Sequence, residues 1–110
     1  MNISQNSVAM DENEKLTSAL AIYLNCFGNP WGVVSEHLCR YLGPMEDEEL
    51  EYLISICAAF EKQLFIIGRE VLDGKIDKDA ACVCLAHDYP KLSLQNLNRA
   101  VSQGIYAASK

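Results

Sequence analysis

Basic residues are scarce in this 110-residue chain. Nine Lys and Arg stand against fifteen Asp and Glu, for a net charge of −6. Binding to nucleic-acid phosphates or to an anionic membrane relies on clusters of Lys and Arg, and none occurs, so neither is expected as a partner. No run of about eighteen uncharged apolar residues exists, which argues against a transmembrane helix. The opening MNISQNSVAMDENEK is polar and acidic, without the basic start and apolar centre of a secretory signal. A cytoplasmic chain is expected, or one that leaves the cell by a route needing no such signal.

Patterns that carry chemistry are equally thin. There is no Cys-x-x-Cys, no His-x-x-x-His, and only two histidines in all. Cys82 and Cys84 stand two apart, where helical side chains diverge by roughly 160°. A zinc site is therefore not expected. His37 is separated from Cys39 by the same spacing, and His87 reads as a helix-end residue complementing the dipole. The six glycines fall singly, so phosphate loops and dinucleotide fingerprints are missing. No catalytic residue, metal or cofactor is assigned, and the chain reads as a non-enzyme. Its five cysteines, an odd number without a signal, fit buried reduced thiols better than a disulfide framework.

What the chain has in quantity is apolar residues at helical spacing. From Met45 to Gly74, Leu50, Leu53, Cys57, Phe60, Leu64, Ile67 and Val71 recur at alternating steps of three and four. That spacing predicts one long helix over about 46–73 with a single apolar stripe. Ile54, Ala58, Phe65 and Leu72 widen the stripe on one side and Ile56 on the other. Glu48, Glu51, Ser55, Lys62 and Arg69 leave only a narrow polar strip. Such a helix needs others wrapped around it.

The flanks supply them. Residues 1–10 show no apolar periodicity and read as a flexible arm before a single domain over 11–110. Asp11 and Glu14 suggest a capping box for a helix presenting Leu16, Leu20, Tyr23, Leu24 and Phe27, ended by Gly28. Asn29-Pro30 predicts the cap and first residue of a second helix reaching Leu42 and burying Trp31, Val34, Leu38 and Tyr41. Asp77 caps a short helix through ACVCLA, apolar nearly all round and expected to be largely buried. Ser93 caps a last helix with Leu94, Leu97, Val101 and Ile105 inward. Gly104 inside that helix costs about 1 kcal/mol relative to Ala, which predicts a frayed final turn. No strand pattern competes, since the single Asp-Gly lies between helical stretches. The fold class is all-α: a single-domain bundle of about five helices around the long central one.

Function is read from surface character. Glu46, Asp47, Glu48, Glu49 and Glu51 place five carboxylates in six positions at the start of the central helix. Complementing the helix dipole needs fewer, and like charges three or four apart repel. The excess suits contact with a basic protein, with Tyr52, Ile56 and Ile66 as apolar anchors along the same edge. Glu61, placed toward the apolar arc, calls for a partner such as Arg40, Lys15 or a tyrosine hydroxyl if a neighbouring helix covers it, and could meet a ligand's cation if it rims an exposed groove. The profile fits a small acidic inhibitor or immunity-type protein that neutralises a basic partner. The alternatives are a secretion-type chaperone, or a homodimeric structural or regulatory subunit with the heptad stripe as its seam. A thiol enzyme or redox switch using Cys82, Cys84 or His87 comes last.

Overall fold

The computed structural model describes residues 12–110, and among them five helices follow one another without a strand. They are α1 (Glu12–Asn25), α2 (Trp31–Leu42), α3 (Asp47–Leu72), α4 (Lys78–Asp88) and α5 (Leu94–Ala108). The expected arm and the Asp11 cap lie outside the described residues. Two caps form as the sequence implies: Asp77 accepts a hydrogen bond from the Ala80 N–H at 2.7 Å and Ser93 from the Asn96 N–H at 3.1 Å. The cap of α2 is shifted by one. Pro30 itself precedes the first helical residue, its carbonyl accepts from the Val33 N–H, and Asn29 has no capping role. At the end of α3, Gly74 takes φ 76°, which lets the Lys75 N–H reach the Glu70 carbonyl and the Gly74 N–H that of Val71. Both bonds satisfy carbonyls the helix would otherwise leave open.

Helix α3 packs against all four other described helices, and most extensively against α5. Its stripe is the centre of the core: Leu53, Cys57, Phe60, Leu64 and Ile67 are buried, while Leu50 and Val71 at the two ends are partly covered. Around them lie Leu20, Tyr23 and Leu24 of α1, Val34 and Leu38 of α2, Ala81 and Leu85 of α4, and Leu97, Ala100 and Val101 of α5. Because the stripe is consumed by the chain's own core, it is not available as a seam between two copies of this fold.

Several expectations about burial are corrected. On α4 only Ala81, Cys82 and Leu85 are buried, and Val83 and Cys84 face outward. An eleven-residue helix resting on one side of a bundle covers one face, however apolar the others are. Cys84 is thus exposed and Cys39 only partly covered, whereas Cys26, Cys57 and Cys82 are buried. Tyr41, Leu94, Phe65 and Leu72 are likewise exposed, and Trp31 is only partly covered. The other four helices leave the side row of Phe65 and Leu72 about half exposed, Phe65 at the wall of a groove beside α5.

The largest departure is at Gly104. Helix α5 does not fray there: it continues to Ala108 and closes with the Ser109 N–H donating to the Ile105 carbonyl. Gly104 is buried against Gly68 where α5 crosses α3. A Cβ on Gly68 would land on the Gly104 carbonyl and 2.6 Å from the Ile105 nitrogen. A Cβ on Gly104 would land on the Leu64 carbonyl and 3.3 Å from the Leu64 Cβ. The two backbones approach so closely only because neither position carries a side chain.

This geometry reverses the sign that propensity alone assigns. Gly68→Ala and Gly104→Ala are each expected to destabilise by about 2 kcal/mol or more, as overpacked cores do. Gly32→Ala has open space around its Cβ and lies within α2, so it should be neutral or stabilising by up to ~1 kcal/mol. Urea unfolding followed by far-ultraviolet circular dichroism separates the two classes.

Candidate functional site

The acidic start of α3 splits into two groups. Glu49 turns toward α1 and forms an ion pair with Lys15, a contact spanning 34 residues of sequence. Glu46, Asp47, Glu48 and Glu51 stand exposed at the end of the bundle. Their placement on the first turn is favoured by the unpaired backbone N–H groups there. Glu49 is therefore engaged in folding, and the four others remain for solvent or a partner.

The apolar anchors are not brought together as one patch. Tyr52 is 47% exposed and Ile66 58% exposed, and both lie on the solvent strip with Glu48, Glu51, Ser55, Ala59 and Lys62. Fourteen residues of helix separate Tyr52 from Ile66, or about 21 Å along the axis. Ile56 is partly buried against the core and faces a cleft shared with Leu16, Leu20 and Tyr89. The arrangement is an acidic knob with Tyr52 one turn away, and an isolated Ile66 farther along.

On the opposite side of α3 a second polar feature is built more tightly. Tyr23 of α1 donates its hydroxyl to Glu61 Oε2 at 2.8 Å, so Glu61 has a tyrosine partner although no helix covers it and it stands exposed. Lys15 is occupied by Glu49 instead. The Tyr23 ring stacks on Trp31, with centroids 5.7 Å apart, and meets Phe60 edge-on at 6.2 Å. Phe60 in turn meets Tyr89 edge-on at 5.0 Å. Tyr89 donates to Gln63 Oε1 at 2.9 Å, and Gln63 Nε2 donates to Asp88 Oδ2 at 2.8 Å. A line of four rings thus crosses the core with a polar tip at each tyrosine.

Beside Glu61 runs a groove of about 370 Å³ between α3, α5 and the turn after α1. Phe27, Phe65 and Gln103 help line it. The sequence pattern points to Glu61 but not to Gln103, and it marks Phe27 and Phe65 only as core candidates. The available signal was an acid flanked by the side row of Phe65 and Leu72.

The thiols and histidines are placed separately. Cys57 donates toward the Ala19 carbonyl at 3.7 Å, and Cys82 toward Asn98 Oδ1 at 3.1 Å. His37 Nδ1 lies 3.2 Å from the Val33 carbonyl, while His87 is exposed with Nδ1 3.5 Å from Asp88. Among the described residues, no three His, Cys, Asp or Glu side chains converge as metal ligands, and no helix is long and apolar enough to cross a membrane. No protein-family model, curated protein or solved structure matches the chain.

Burial raises several acidic protons together. The Cys57 thiol is pushed up to about 12 by desolvation and then by nearby Cys26. Tyr23 is raised by burial and by its bond to Glu61, Tyr89 by burial and Asp88, and Cys26 and Cys82 chiefly by burial. All five keep their protons in the folded state at pH values where the unfolded chain loses them. Their contribution to stability is therefore whole below about pH 8 and declines as pH rises past the unfolded thiol value near 8.5. Urea midpoints are expected to hold from about pH 6 to 8 and to fall by about pH 10. Cys57→Ala should weaken that alkaline decline even though it lowers stability at neutral pH. An unchanged slope would show that the thiol is not a source of the decline.

Proposed function

We propose that this chain is a non-enzymatic protein-binding protein, of the small inhibitor or immunity type, that neutralises a basic protein partner in the cytoplasm. The observation that supports it most is the acidic knob at the start of α3. Glu46, Asp47, Glu48 and Glu51 are exposed there while Glu49 is tied to Lys15, and half-exposed Tyr52 lies one turn on from Glu48. Clustered carboxylates steer a cationic partner into contact and repel anionic ones. An adjacent tyrosine supplies a rigid surface with an apolar body and a polar tip, the type enriched where interfaces concentrate their energy. Ile66 extends the strip beyond Tyr52 but is too distant to belong to the same small contact.

The reading is tested by charge reversal on the exposed acids. Glu48→Lys with Glu51→Lys should fold, at a dipole cost of about 1 kcal/mol for the pair. Wild-type protein used as bait at low salt is expected to capture a basic protein that is lost at about 0.5 M salt, where exposed charges are screened within a few ångströms. The double variant should fail to capture it, and Tyr52→Ala should weaken it by roughly tenfold or more. Capture that is insensitive to both salt and these substitutions would falsify the assignment of this surface.

A further inference from the structure

Three aromatic rings and a carboxylate share the groove beside Glu61. Tyr23, Phe27 and Phe65 line it together with Glu61, Leu64 and Gln103. Its volume of about 370 Å³ lies in the range of small-molecule sites. Phe65 is 49% exposed at its wall, although a phenyl ring in water is unfavourable.

The polar groups of the wall are mismatched in one direction. The Tyr23 hydroxyl is already donated to Glu61, and that carboxylate retains acceptor capacity. Gln103 Nε2 donates to the Leu24 carbonyl at 2.9 Å, which fixes the amide, because turning it would set two oxygens against each other. Gln103 Oε1 is then left as a buried acceptor without a partner. Acceptor capacity is left at Glu61 and Gln103, while the Tyr23 hydroxyl and one N–H of the Gln103 amide are engaged. Lys62 stands at the mouth, on a long exposed tether that can keep its charge in water. Ring faces add negative potential of their own, to which an ammonium ion is attracted. The same contact already occurs nearby, where the Lys110 ammonium sits 4.6 Å over the Tyr106 ring and Tyr106 meets Phe27 edge-on.

We propose that this groove binds a small organic ammonium ion, with its cation against Glu61 and its apolar stem between Phe27 and Phe65. An N–H on the cation also gives Gln103 a donor once the side chains at the wall shift to admit it. Glu61 projects from α3 about 180° away from Tyr52, so the site is separate from the acidic knob and either assignment can fail alone.

The chain's one tryptophan provides the readout, since Trp31 stacks on Tyr23 at the groove wall. Full-length protein is titrated with phenethylamine and with phenethyltrimethylammonium, and in parallel with phenethyl alcohol and hydrocinnamate. Isothermal calorimetry covers the case of unchanged fluorescence. Saturable binding of a cation is expected, about tenfold or more tighter than the alcohol, with the acid weaker still. Glu61→Gln keeps an acceptor for Tyr23 and should lose about tenfold for the cations while leaving the alcohol unchanged. Half-exposed Phe65→Ala should weaken cations and alcohol alike without unfolding the chain. Equal affinity for amine and alcohol, unaltered cation binding in Glu61→Gln, or no saturable binding of either cation overturns the proposal. So does a lysine-containing peptide that binds when both free cations do not, because it moves the site to a protein ligand.

Discussion

The contact between Gly68 and Gly104 decides how this bundle is assembled. Helix α5 reaches α3 with backbone against backbone, and only there does a Cβ on either helix fall onto a carbonyl of the other. That approach draws Leu97, Ala100 and Val101 onto the α3 stripe and lets the last turn of α5 form fully. Two glycines that would each weaken an isolated helix together allow its most extensive packing. The gain in contact outweighs the propensity cost because close-packed interiors lose attraction steeply with even a small gap.

From that crossing the core extends along the rings. Trp31, Tyr23, Phe60 and Tyr89 link α2, α1, α3 and the turn after α4 in successive ring contacts. The two tyrosines keep their hydroxyls at the edge, where Glu61 and Gln63 accept them. Each aromatic body thus serves the core while its polar tip is satisfied near the surface. The same arrangement raises the protons of both tyrosines, so stability, ring packing and the position of Glu61 are tied together.

The central helix consequently presents two unlike surfaces. Its first turn offers exposed carboxylates with Tyr52 beside them, a surface suited to long-range attraction of a basic protein. Half a turn around the helix and farther along, Glu61 stands at a groove of aromatic walls, suited to a small cation at short range. The first, as proposed, would depend on clustered charge and weaken with salt. The second, as proposed, would rest on the shape of the groove and the single exposed carboxylate of Glu61.

Local residue patterns were enough to set the elements. Alternating steps of three and four made α3 a long amphipathic helix, Asp77 and Ser93 closed helix starts through their own side-chain oxygens, and Gly74 supplied the left-handed turn that ends α3. Each depends on residues within about one turn, so each was legible in order along the chain. The five carboxylates were legible too, but not their division: only folding brings Lys15 to Glu49 and leaves the others exposed. Burial around each helix was likewise undecided. Val83, Leu94 and Phe65 are as apolar as their buried neighbours, and which face is covered depends on where the other helices lie. Gly104 shows the limit most clearly. Local propensity marks it as a weak point, and tertiary structure makes it a place of close approach, because its worth lies in the Leu64 backbone carbonyl, 40 residues away.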